Sequence, residues 1–152
     1  MTGEIKVVQF HPRHIEVMEL RDIEQQAVFK LKDAYDRIEK IAKDSVQAVT
    51  FLYDGRVLFC AGFNELWPGV FDVWMISSIY IPTVPILVAR MLRQYMDRIM
   101  EDFGAKRLQT TTHDDEMHVR FMEFLGFNND TPGGMKNFAP DGKTMLMFSR
   151  TR

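Results

Sequence analysis

Apolar residues recur three and four positions apart from Ile86 through Ala89, Leu92, Met96 and Ile99 to Phe103. Arg90, Arg93, Asp97 and Glu101 lie between them, a spacing that predicts an amphipathic helix. Gly104 ends it, as a residue that can turn left-handed without a Cβ clash. Arg107 to Thr112 is rich in β-branched residues and predicts a strand. His113-Asp114-Asp115 then offers an N-cap to a further helix, whose expected apolar face is Met117, Phe121, Met122, Phe124 and Leu125. A strand between two helices implies a βαβ-type crossover onto a sheet.

Upstream, Ile5 to Phe10 predicts a first strand, and His11-Pro12 a turn into a helix beginning near Arg13. Ile15 to Leu20 and Ile23 to Ala42 read as helices with a break near Arg21-Asp22. In the second, Val28, Leu31, Tyr35, Ile38 and Ala42 form one face. Val46 to Tyr53 and Arg56 to Phe63 are strands joined by Asp54-Gly55, the strongest hairpin signal in the chain. Asn64 to Gly69 reads as a turn and Val70 to Ile81 as a third antiparallel strand. Beyond Phe127 come a loop to Gly134, a short strand at Met135 to Phe138, a turn at Asp141-Gly142 and a last strand from Thr144 to Arg150. Periodicity alone therefore gives an α+β fold with one mixed sheet.

The 152 residues, 46% hydrophobic and 12% aromatic, suffice for one core, so a single domain spanning 1–152 is expected. With 19 basic and 21 acidic residues mixed along the chain, no nucleic-acid footprint is visible, which excludes that ligand class. No apolar run suits a signal peptide or a membrane span, placing the protein in a cytoplasm or inside a particle. Cys60, the only cysteine, reads as a small buried strand residue. His113 and His118 are five apart and do not share a helix face, so a metal site built from them with Asp114 is rejected. No nucleophile elbow is present, which argues against a hydrolase. Of the eleven methionines, Met91, Met96, Met100, Met117 and Met122 are expected to fill core space, or alternatively to offer an adaptable surface to a partner.

The run from Pro85 to Phe127, closing on Phe124-Leu125-Gly126-Phe127, resembles the GCN5-related N-acetyltransferase (GNAT) family. The resemblance covers roughly residues 46 to 127. Within the family the chain is similar to the acetyltransferase-like internal-virion-protein-A type of short-tailed bacteriophages, through Val49-Thr50-Phe51-Leu52-Tyr53 and His118-Val119-Arg120-Phe121-Met122. It implies a mixed, mostly antiparallel sheet splayed between its fourth and fifth strands and flanked by helices on both faces. It also implies acetyl-coenzyme A between those strands, its pyrophosphate held by amides of a Gly-rich loop entering the next helix.

The corresponding stretch, Ile81-Pro82-Thr83-Val84-Pro85-Ile86-Leu87-Val88, has no glycine, and its prolines have no N–H to donate. The basic residue that usually opens the loop is also missing, Arg90 being the first cation. By resemblance the remaining amides of Thr83, Val84, Ile86, Leu87 and Val88 would hold the pyrophosphate, and those of Ser77 and Ser78 the thioester carbonyl. The family's proton-donating tyrosine falls at Met122, whose thioether cannot donate; Tyr80 or Tyr95 could supply a phenol by another route. Asp72 and Glu65 are the candidate general bases.

Two functions follow from the resemblance. One is a phage protein with a degenerate acyl-coenzyme A site and a non-catalytic role toward a virion or host protein, in the host cytoplasm or virion interior. The other is an acetyl-coenzyme A-dependent N-acetyltransferase acting on a protein or small-molecule amine.

Overall fold

In the computed structural model, which describes residues 3–18, 31–80 and 85–152, the strands are β1 (Ile5–Gln9), β2 (Gln47–Tyr53), β3 (Arg56–Trp67), β4 (Val70–Ser77), β5 (Arg107–His113), β6 (Asn128–Asn129) and β7 (Met145–Thr151). The helices are α1 (Arg13–Val17), α2 (Ala34–Asp44), α3 (Pro85–Asp102) and α4 (Glu116–Phe124). Ladder order is β1-β2-β3-β4-β5-β7-β6. The β1/β2, β2/β3, β5/β7 and β6/β7 pairings are antiparallel, and β4/β5 is parallel. That parallel ladder covers only Val70–Asp72 against Arg107–Gln109, so pairing stops early in both strands, as a splayed sheet requires.

The residues form two compact units. The first comprises the described residues up to Asn64 and those from Val73 to Tyr80; the second comprises Glu65–Asp72 and Pro85–Arg152. In the first, Asp54 (φ 49°) and Gly55 (φ 80°) make the two-residue turn whose twist suits a hairpin. Its core gathers Ile15, Met18, Ile38, Val57 and Cys60, with Phe10, Leu52, Trp74 and Ile76 packed against them. Cys60 is fully buried, its Sγ 3.4 Å from Thr50 Oγ1, and burial pushes its thiol up to about 11. In the second unit α3 buries Val88, Leu92, Tyr95, Met96, Ile99 and Met100 along one stripe, while β5 and β7 bury Leu108, Leu146 and Phe148.

Several boundaries differ from expectation. Helix α1 stops at Val17; its expected extension over Glu19 and Leu20, the break near Arg21-Asp22 and Val28 lie outside the described residues. Helix α2 starts only at Ala34, after a turn at Lys32-Asp33, and buries the narrow i,i+4 pair Ala34 and Ile38, leaving Tyr35 55% exposed. Strand β3 runs on through Glu65 to Trp67, so Glu65 is a strand residue and not part of a turn. The reversal is confined to Pro68-Gly69, where proline cannot join a ladder and Gly69 adopts φ 85°.

The Gly69 carbonyl then accepts from the amides of Lys106 and Arg107, at 2.7 and 3.1 Å, tying this hairpin tip to the start of β5. Strand β4 ends at Ser77, short of the expected Ile81, which lies outside the described residues. Met135 makes only a single bridge, to Met145, while the two-residue β6 forms in the segment expected to be loop. On α4 the buried residue is Met122, and Leu125 and Phe127 just beyond the helix are buried too. Met117 and Phe124, expected on that face, are 57% and 47% exposed.

Candidate functional site

In the first unit lies the end of β4. From Val73 to Ser77 the edge of β4 away from β3 has no ladder partner among the described residues, because pairing to β5 ends at Asp72. Ser77 and Ser78 are both buried. The Ser78 amide donates to the Leu58 carbonyl at 2.9 Å, so it is already committed within the sheet; Ser78 Oγ accepts from the Tyr80 amide at 3.2 Å, forming a tight turn. Trp74 is likewise committed: its Nε1–H donates to Ser45 Oγ at 2.9 Å and its ring meets Phe10 edge-on, 5.7 Å between centroids. Thr83 and Val84 lie outside the described residues.

The second unit, taken by itself, holds the start of α3 and the two carboxylates. Val88, fully buried as the fourth residue of α3, stands where a helix closes its first hydrogen bond. Ile86 and Leu87 precede it in a first turn that holds no acidic residue and where N–H groups have no acceptor within a helix. Their amides, together with the helix dipole, suit an anion. Asp72 is half-buried beside Gln109 in the parallel ladder, whereas Glu65 is exposed on β3. Tyr95 is buried within α3, and burial raises its phenol well above the ordinary tyrosine range, so it keeps its proton at neutral pH.

At the junction of β5 and α4 the structure assembles a group that spacing alone had set aside. Asp115 caps α4, accepting from the His118 amide at 2.8 Å, and both its oxygens lie 2.7–2.8 Å from His118 Nδ1. His113, the last residue of β5, meets the His118 ring at 5.6 Å between centroids. The histidines come together because His113 precedes the helix instead of lying on it. The missed signal was Asp-x-x-His at a helix start, the spacing of an N-cap and its N3 residue. Burial raises the Asp115 carboxyl, but the hydrogen bonds from His118 outweigh it and hold the net value below the usual carboxylate range. Met122, one turn further along the same helix, is buried.

Burial and the neighbouring His118 hold His113 below its ordinary value of 6.5. The unfolded chain therefore takes up this proton first. The resulting stability is fully present above about pH 6.5 and is lost as pH falls through the folded value. Asp115 and Asp141 favour the His113 cation and Lys143 opposes it, so the residual shift is set by all of them together. Urea midpoints of the wild type should fall between pH 7 and 5, and His113→Gln should flatten that dependence; an unchanged slope would refute the assignment.

Solved structures match almost the whole chain. AAC(6')-Ib in complex with acetyl-coenzyme A superposes with a TM-score of 0.69 at 16% identity, over 98% of this chain and 94% of its own. A GNAT-family acetyltransferase from Bacillus anthracis gives 0.70 at 11% identity, over 99% and 97%. The fold is that of a GCN5-related N-acetyltransferase. An acetyltransferase from Bacillus cereus described as acting on IAA matches this GNAT fold equally, with a TM-score of 0.70 at 9% identity over 98% and 100%. By sequence, no family model and no curated protein matches the chain. Against the GNAT pattern, this chain keeps the interrupted β4/β5 pairing and the helix after β4, and lacks the loop glycines and the tyrosine.

Proposed function

We propose that the protein binds an acyl-coenzyme A and transfers its acyl group to an amine of a protein or small molecule. The observation that carries this reading is the open edge of β4 from Val73 to Ser77. A pantetheine arm is an extended chain with two amides and can pair with such an edge as a missing strand would. In the second unit, the amides of Ile86 and Leu87 at the start of α3 suit a pyrophosphate, and the solved acetyltransferases that carry coenzyme A on this fold support the choice. When bound, the thioester supplies an activated acyl carbon: the amine nitrogen forms the new C–N bond, the C–S bond breaks, and the thiolate leaves. Asp72, half-buried on β4, accepts the proton that the amine gives up. Glu65, exposed on β3, is the alternative acceptor.

A second reading, a non-catalytic protein of this fold, has one specific observation in its favour. Met122 is 7% exposed at the position where the family's proton donor would stand.

Thermal unfolding with and without acetyl-coenzyme A separates the two. At about a hundred times its dissociation constant the ligand adds about 2.7 kcal/mol, a rise of about 5–10 °C for a chain of this size. Acetyl transfer to an amine should then fall at least about 100-fold in Asp72→Asn, with the ligand's dissociation constant unchanged. Absence of a shift at millimolar ligand would overturn the acyl-coenzyme A reading, and a shift without transfer to any amine would favour the non-catalytic one.

A further inference from the structure

A chain of polar side chains runs into the apolar core of the first unit. Thr50 on β2 is fully buried, and its Oγ1 lies 2.8 Å from His14 Nδ1 on α1 and 3.4 Å from Cys60 Sγ on β3. One amide fixes the direction of every proton in it. The His11 backbone N–H, which can only donate, reaches His14 Nδ1 at 3.1 Å, so that nitrogen carries no proton and His14 is the neutral Nε2–H tautomer. Thr50 therefore donates its hydroxyl proton to Nδ1, and the Cys60 S–H donates in turn to Thr50 Oγ1.

Acid reverses this order. The open lone pair of the neutral ring is on Nδ1, so the next proton goes to the very atom that both donors address. The His11 amide then faces an N–H, the Thr50 hydroxyl has to turn and accept, and the Cys60 thiol loses its acceptor. Such losses are costly in a core. Burial, and after it the neighbouring His11, hold His14 below its ordinary value of 6.5. The opened segment takes up this proton first, so the stabilisation is fully present above about pH 6.5 and is lost as pH falls through the closed-state value. Thr50 and Cys60 face the ring from β2 and β3, and His11 and the Phe10 ring meet it edge-on from the turn before α1. Arg13 and Glu16 flank it on α1, and Glu39 and Lys43 of α2 line a groove beside Pro12. His11 is the charge among them that shifts it.

Helix α1 depends on this tie. It is five residues long, too short to be stable through its own backbone, and no side chain caps it at Pro12. Ile15 and the following Met18 share one buried cluster with Ile38, Val57 and Cys60, so lifting α1 opens that cluster to solvent. We propose that His14 is an acid-released latch, whose protonation frees α1 from β2 and uncovers Cys60 by a local opening. Nothing in it depends on the acyl-coenzyme A reading.

Cys60, the chain's only thiol, reports the opening. The full chain is labelled with an uncharged dipyridyl disulfide at pH 7 and pH 5, and each rate is divided by that of the urea-denatured chain at the same pH. The division cancels the titration of the thiol and of the reagent. In the wild type the ratio should rise at pH 5 by at least about 3-fold, about 25-fold being the most that one group of ordinary value 6.5 imposes over that interval. His14→Gln offers an acceptor that does not titrate and should hold the ratio flat. Thr50→Val removes the tie at nearly constant volume; it should raise the ratio at pH 7 and leave little further rise. His113→Gln, in the other unit, should behave as wild type. A wild-type rise below about 3-fold, or a full rise in His14→Gln, would overturn the latch. So would loss of the rise in His113→Gln, or far-ultraviolet circular dichroism of the wild type that collapses at pH 5, since either makes the opening global. If His14→Gln already labels fast at pH 7, Thr50→Val decides: a rise at pH 5 as large as wild type's would overturn the latch.

Discussion

Phe148→Ala should cost about 3–5 kcal/mol, a large share of the 5–15 kcal/mol that holds a typical domain folded. Phe148 is fully buried at the centre of β7, paired with Thr110 of β5 on one side and Asn129 of β6 on the other. Leu146 and Arg150 share its face of the strand. Arg150 shows what that face meets, since its guanidinium pairs with Asp97 of α3 and donates to the Leu125 carbonyl after α4, at 3.4 Å for the latter. Truncation therefore opens a void beneath two helices, whose backbones are held by their own hydrogen bonds and cannot collapse into it. For a chain of this length the loss corresponds to a melting temperature lower by about 6–20 °C. Phe138→Ala is the control: Phe138 is 53% exposed, and its loss should cost under about 0.5 kcal/mol. Urea unfolding of the two variants checks the contrast. A cost below about 1 kcal/mol at Phe148 would mean that β7 is not packed as described.

Gly62→Ala is the second substitution with a large expected effect, and here the sign needs an argument. Replacing glycine usually stabilises by about 0.4–1 kcal/mol, because the unfolded chain loses freedom. Gly62 sits in β3 opposite Ala48, where an added Cβ would stand 2.6 Å from the Gln47 carbonyl oxygen and 2.7 Å from two carbons of the Trp74 ring. The first neighbour is backbone in a paired strand and cannot withdraw cheaply. The second is anchored through its Nε1–H to Ser45 and packed edge-on against Phe10. Overpacking of this kind costs about 1–3 kcal/mol, which outweighs the entropic gain, so the variant should be destabilised. Gly133→Ala, where a Cβ meets nothing within 4 Å, should be near neutral. Denaturant midpoints for the pair, followed by tryptophan fluorescence to register displacement of Trp74, would decide it; equal midpoints would refute the steric account.

What could be read from the chain was local. Helix α3 was legible through its middle, where Leu92, Met96 and Ile99 are buried as their spacing predicts, while Ile86 and Phe103 at the two ends of the expected stripe are 69% and 41% exposed; the Asp54-Gly55 hairpin was legible because two adjacent residues carry the whole signal. Glu65, Leu66 and Trp67 were misread because their extended backbone comes from the sheet rather than from burial, all three being exposed. Strand β6 was invisible for a related reason: Asn128 and Asn129 become a strand only by meeting Ser149 and Phe148, far along the chain. Helical-face predictions failed at their margins, since Met117 and Phe124 sit at the rim of a stripe narrower than their hydrophobicity suggests. The candidate site was least legible of all. The meeting of His113 with His118 does not follow from periodicity, because it depends on how a turn brings separate elements together.

The seclusion of Cys60 has a practical consequence. The chain's one sulfhydryl is sealed from solvent and keeps its proton to about pH 11. A chromogenic disulfide reagent added to the native protein at neutral pH therefore meets almost no thiolate of the protein's own. In a test of the proposed acyl transfer, any colour developed would count free coenzyme A directly, one molecule per acyl group moved. Denaturant then exposes one equivalent per chain, so the same cuvette calibrates its own protein concentration.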